Sequence, residues 1–160
     1  MGNEAAKMIG ELLKSRGERI AVAESISAGN IQAALSSNSG ASDYFEGGIT
    51  AYSLRQKVNL LGIDEQKARE VNCVSQDIAR DMAVAVSLKF GTDYGIGTTG
   101  YAEPWGEIKV PHAYYSIAHG GIAFRGGCID GTGLSRESMQ IKVSNVVLKD
   151  LLYHLDLWIR

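Results

Sequence analysis

The stretch Gly40–Lys57, GASDYFEGGITAYSLRQK, passes from a polar turn through a short strand into the start of a helix within eighteen residues. Gly40, Ala41 and Ser42 make the turn, and Phe45 to Ala51 reads as a strand. Ser53 is placed to cap a helix, SLRQKVNLLG, that closes at Gly62. Two adjacent glycines inside the strand, Gly47 and Gly48, predict a bulge or a close ligand. A strand feeding directly into a helix is the repeating unit of an α/β fold, so the flanking sequence decides whether the unit recurs.

It does recur upstream. Ile20 to Ser25, IAVAES, is a short apolar run that turns through Ser27, Ala28 and Gly29 into a helix carrying Ile31, Ala34 and Leu35. Before it, Met8, Ile9, Leu12 and Leu13 recur at helical spacing, and Lys14, Arg16 and Gly17 suit a helix end. Downstream, Asp64 is placed to cap a short helix and Ser75 a longer one through Phe90, with Ile78, Met82, Val86 and Phe90 on one face. Asp93 to Gly100 reads as a strand running into a glycine-containing loop, and Thr99 to Pro111 contains the longest irregular segment. AYYSIAH and IAFRGGCI flank Gly120 and Gly121 and predict a hairpin. The final helix, from about Ser135 onward, presents Met139, Val143, Val146, Val147, Leu151, Leu155 and Trp158 on one face. This order predicts a three-layer α/β/α sandwich with a mixed, mostly parallel sheet and one antiparallel partner, formed by residues 1–160 as a single domain. Ligands of such sheets gather beyond the carboxyl ends of the strands, which here deliver Glu24 and Ser25, Tyr52 and Ser53, and Thr98 and Thr99 to one edge.

Composition narrows the partners. The chain has 160 residues, 45% of them hydrophobic, enough for one buried core. Its formal net charge is −2 and its lysines and arginines are scattered, so no nucleic acid is expected as a partner. No run of about 18 apolar residues is present to span a bilayer, and the N-terminus lacks a signal-like apolar region, which points to the cytoplasm and to no membrane partner. Cys73 and Cys128 are too few for a disulfide framework and read as small buried hydrophobes. His112, His119 and His154 have no metal-ligand spacing, so no metal and no cofactor are expected. The apolar last helix is open to two readings, a core helix or a face for a homo-oligomer.

Two residues of the opening stretch could carry chemistry. Ser42 and Lys57 lie fifteen positions apart, and a serine hydroxyl becomes a nucleophile when a neutral lysine accepts its proton. Bringing a lysine from about 10.4 to ~7.5 requires on the order of 4 kcal/mol of penalty on the ammonium, which a desolvated site supplies. Spacing alone does not separate this pair from a turn serine and a solvated helix lysine. Trp105, in the long irregular segment, fits either a stacking lid or a loop anchor, and the turn from Ser25 to Asn30 could offer backbone N–H groups to a phosphate.

The sequence resembles the C-terminal domain of CinA, the competence- and damage-inducible protein, whose stand-alone form is a nicotinamide-nucleotide amidohydrolase. AVAESISAGNIQAAL looks like the family's A-E-S-x-T-G-G turn, GASDYFEGGITAYSLRQK like its G-A-S-x-x-F-x-G-G-x-x-x-Y-S-x-x-x-K block, and TTGYAEP like its T-G-x-A-G-P loop. The resemblance implies hydrolysis of the carboxamide of nicotinamide mononucleotide to nicotinic acid mononucleotide and ammonia, without a metal, so a small-molecule nucleotide is the expected partner. It implies Ser42 as nucleophile and Lys57 as its base, with backbone N–H groups near Ser42 or the glycine pair as oxyanion donors. Ser25, Gly29, Tyr52, Thr99 and Gly100 would then line the substrate pocket, and Arg136 is similar to an arginine that meets the substrate phosphate. The sequence departs from the family pattern at Glu103 and Glu107, which stand among the family's loop glycines, and at His112. Those departures leave open an amidase with a shifted substrate or a catalytically silent nucleotide-binding module.

Overall fold

The computed structural model describes residues 2–157. Helix α1 (Gly2–Arg16) precedes β1 (Ile20–Glu24) and α2 (Asn30–Ser36). A 3-10 turn (Ala41–Asp43) leads into β2 (Phe45–Thr50), followed by α3 (Leu54–Leu61), α4 (Glu65–Glu70) and α5 (Gln76–Phe90). Then come β3 (Tyr94–Tyr101), β4 (His112–His119), β5 (Ile122–Asp130) and α6 (Arg136–Leu157). The sheet order is β2-β1-β3-β4-β5, with β1 parallel to β2 and β3, and β4 antiparallel to both β3 and β5. Four strands therefore point one way and β4 the other, the mixed α/β/α sandwich that the element order implied.

Helix ends are set where the sequence supplies capping chemistry. Ser53 accepts from the Gln56 N–H, Asp64 from Lys67 and Ser75 from Ile78, while Gly62 and Gly91 close α3 and α5 in the left-handed conformation. One core lies between the sheet and α1, α2 and α6, built around Ile9, Leu13, Ile96, Ile117, Val147 and Leu151. The other lies between the sheet and α3 to α5, around Ala23, Ile63, Ile78, Met82 and Val86. Met139, Val143, Val147, Leu151 and Leu155 bury the inner face of α6, so this helix is a core helix along that face; Trp158 lies outside the described residues.

Three details differ from the sequence expectation. The glycines at 95, 97 and 100 do not make a loop: β3 runs through them to Tyr101, paired with β4 as far as His112, and α5 lies so close that a Cβ at Gly95 or Gly97 would come within 2.1 Å of the Ala83 carbonyl oxygen or 2.2 Å of that of Ala79. The glycine pair of β2 does mark a bulge, at the shift from Ile20–Phe45 to Ala21–Gly47 pairing, but the close neighbours are the Phe90 ring and the Gln32 side chain. Neither cysteine is a fully buried hydrophobe. Cys128 is exposed on the edge strand and Cys73 is only partly buried.

Candidate active site

Where β1 ends, Ser25 enters a tight turn that is fixed from two sides. Its N–H donates to Thr98 Oγ1 at 3.3 Å, and the same hydroxyl lies 2.8 Å from Ser27 Oγ. On the other side the fully buried Glu24 accepts from the backbone N–H groups of Gly29, Ile31 and Gln32 at 3.1, 3.2 and 2.8 Å. Glu24 thus fills the place at the start of α2 that the sequence left open for a phosphate. A carboxylate there satisfies donors that the helix itself leaves unpaired.

One helical turn into α3, Lys57 is 2% exposed and turns back toward the sheet edge. Its Nζ donates to Ser25 Oγ at 2.9 Å and to the Ala51 carbonyl at 2.9 Å. Among the described residues no carboxylate pairs with it. Burial therefore holds its pKa below the ordinary lysine value, with the nearby Cys73 sulfur acting in the opposite direction when ionised.

The serine beside Lys57 is thus Ser25. Ser42 lies in the exposed 3-10 turn ahead of β2, where its carbonyl accepts from Arg19 Nη2 at 3.0 Å. A six-residue strand separates that turn from the edge where Lys57 sits, a span of roughly 20 Å. The expected Ser42–Lys57 pair is therefore not assembled, backbone donors around Ser42 share that separation, and the glycine pair faces Phe90 and Gln32 and lines neither lobe of the cavity described next. Gly29 also leaves the expected set, because its N–H is held by Glu24 and it lines neither lobe of the cavity described next.

Two adjoining lobes, of about 170 and about 390 Å³, share Ser25, Tyr52, Gly100, Tyr101 and Trp105. The larger falls within the size range of small-molecule pockets. Lys57, Cys73 and Thr99 line the inner lobe, and Glu103 and Arg136 the outer one. Of the residues expected at the site, Ser25, Tyr52, Lys57, Thr99, Gly100 and Arg136 are brought together. Thr99 is buried and donates to the Cys73 carbonyl at 2.6 Å, holding the 71–74 turn in which Asn72 and Cys73 both adopt positive φ. Trp105 is 61% exposed and lies parallel to Tyr101 with ring centroids 6.1 Å apart, so it forms a flat aromatic wall over the site. His112 stands behind that wall, edge-on to Tyr101 at 5.4 Å. Glu24 and Thr98 stand at the strand edge where the sequence reading put them, whereas Cys73, read there as a small buried hydrophobe, lines the inner lobe. The turn that carries Cys73 offered no signal in the sequence.

The sequence matches the CinA C-terminal domain over residues 2–152. The chain belongs to that family. Among curated relatives, it is 45% identical over 116 residues to a CinA-like protein of Synechocystis sp., covering 71% of this chain and 28% of the relative. A CinA-like protein of Gloeothece citriformis is 34% identical over 139 residues, covering 84% of this chain and 33% of the relative. The chain spans about a quarter to a third of the length of these CinA-like proteins. Its fold is that of solved CinA superfamily structures: the competence-damaged protein from Klebsiella pneumoniae superposes with a TM-score of 0.91 at 22% identity, over 99% of both chains. The competence/damage-inducible protein from Agrobacterium tumefaciens does so at 0.86 and 21%, over 97% of this chain and 95% of the other. No helix among the described residues is long and apolar enough to cross a membrane.

Proposed function

We propose that this CinA-family chain is an amidohydrolase in which Ser25 is the nucleophile and Lys57 its general base, acting on the carboxamide of a nicotinamide nucleotide or nucleoside. The observation that carries this reading is the 2.9 Å contact between Lys57 Nζ and Ser25 Oγ, both residues buried, with no carboxylate among the described residues to hold the lysine charged. A neutral amine has one lone pair and two N–H groups. The Ala51 carbonyl accepts one of those N–H groups, which leaves the lone pair free to take the Ser25 proton once the amine is neutral.

The steps follow from that geometry. Lys57 takes the proton from Ser25 Oγ as the oxygen attacks the amide carbon, and the tetrahedral adduct collapses with expulsion of the amide nitrogen. The Lys57 ammonium returns the proton to the leaving nitrogen, releasing ammonia and leaving an ester on Ser25. Water, deprotonated by the same amine, then cleaves the ester and restores both groups. A planar aromatic carboxamide suits the wall formed by Tyr101 and Trp105. Thr99 and the 71–74 turn close the inner end beside Lys57.

The test is ammonia release from nicotinamide mononucleotide and from nicotinamide riboside, with three variants in parallel. Ser25→Ala and Lys57→Ala are expected to lose at least ~10³-fold in kcat/KM, while Ser42→Ala stays within about twofold because its turn does not reach the cavity. Equal rates in the unsubstituted chain and in Ser25→Ala would refute the assignment.

A further inference from the structure

The outer lobe of the cavity carries a single guanidinium, and it is already engaged. Arg136 Nη1 donates to Glu103 Oε1 at 2.6 Å, and Nη2 donates to the Tyr52 hydroxyl. The residues lining both lobes include no cation besides Arg136 and Lys57. Lys57 is committed to Ser25 at the inner end, where burial disfavours its charged form. A ligand whose reacting amide sits at Ser25 therefore extends toward a rim whose one positive charge is cancelled by a carboxylate.

That ion pair contributes little to holding the fold. The two side chains are 45% and 56% exposed, a setting in which ion pairs add little to stability. Its consequence lies in what can approach Arg136. A phosphate monoester carries close to two negative charges at neutral pH, so it must displace Glu103 or lie against it, and either is unfavourable. A cationic ring between the aromatic wall and Glu103 meets the opposite situation, attracted both by the carboxylate and by the ring faces of Trp105 and Tyr101.

We propose that Glu103 is a specificity-determining residue: by occupying Arg136 it makes the site select a pyridinium nucleoside carboxamide over its 5′-phosphorylated counterpart. This rests on the amidohydrolase reading and narrows its substrate class to the unphosphorylated, net cationic form. Glu103 touches neither Ser25 nor Lys57 among the contacts of the described residues, so it acts on binding at the rim rather than on bond cleavage.

The experiment measures binding without turnover. On a Ser25→Ala background, nicotinamide riboside, nicotinamide mononucleotide and ribose 5-phosphate are titrated calorimetrically into the chain with Glu103 intact, into Glu103→Gln, and into the Glu103→Gln/Arg136→Gln double variant. Glu103→Gln is expected to shift the ratio of the two pyridine dissociation constants toward the mononucleotide by about tenfold. Ribose 5-phosphate should gain affinity in the same direction, and the double variant should lose both gains, because the phosphate then has no free guanidinium. A shift below about threefold, or no binding of any phosphorylated probe to Glu103→Gln, overturns the proposal. Failure of the amidohydrolase reading is seen separately, as no ammonia from either pyridine compound with the unsubstituted chain.

Discussion

The proposed chemistry of this chain turns on one ionisable side chain that burial deprives of a counter-charge. Lysine is almost never fully buried unless it is paired, and Lys57 is buried with a hydroxyl and a carbonyl for company, so its neutral form is favoured. The sign of the pH dependence follows. In the proposed reaction the active species is the free amine, so kcat/KM should rise with pH through the lowered pKa of Lys57 and level off before the ordinary lysine value of 10.5. On the acid side the fall approaches tenfold per pH unit, as for any single required deprotonation. A profile between about pH 5.5 and 9.5 checks this; a flat line, or a limb centred at the ordinary lysine value, would contradict the role given to Lys57. Spacing alone did not separate Lys57 from a solvated helix lysine, and it was the family resemblance that singled it out together with Ser42, fifteen residues away. The serine that meets Lys57 comes instead from thirty-two residues away, a contact that no local pattern announces.

At the scale of elements, the site depends on how β1 hands over to α2. Glu24 is the last residue of β1 and is wholly buried, yet its carboxylate is consumed by three backbone N–H groups of the following turn and helix. It acts as a cap delivered from a strand, and Thr98 braces the turn from the neighbouring β3. Replacing Glu24 with Ala leaves those donors unpaired in a dry setting. The expected cost is about 2–4 kcal/mol of stability, read from urea unfolding, together with loss of activity as Ser25 moves relative to Lys57. Glu24→Gln keeps one acceptor oxygen and is expected to lose less than the alanine variant; equal losses would argue against a capping role. The start and end of α3 to α5 were readable because Ser53, Asp64, Ser75, Gly62 and Gly91 satisfy their helix ends with local hydrogen bonds or a left-handed residue. The cap from Glu24 was not readable, since it reaches five to eight residues across a turn whose shape the tertiary structure fixes.

For the whole molecule, the position of the site follows from the sheet order, with β1 at the join between β2 on one side and β3 on the other. Their carboxyl ends bring the Ser25 turn, Tyr52 with α3, and the β3 end to one edge, and the start of α6 contributes Arg136 from beyond the hairpin. This assembly needs α5 pressed onto β3, which Gly95 and Gly97 permit by having no side chain. Gly97→Ala would drive a methyl group to 2.2 Å from the Ala79 carbonyl oxygen, so α5 must move. A loss of about 3 kcal/mol or more in denaturant unfolding is expected, with reduced activity because α5 follows directly from the turn carrying Cys73; an unchanged midpoint would show that the contact can relax. By itself the sequence determined the order of helices and strands, the caps, the hairpin and the apolar faces of α5 and α6, because each depends on periodicity or on hydrogen bonds within a few residues. Only the tertiary structure decided that Ser25 rather than Ser42 meets Lys57, that β3 continues through its glycines, and that Glu103 holds Arg136. Those outcomes depend on contacts between segments far apart in the chain, whose geometry is set by strand order and by helix-on-sheet packing rather than by local spacing.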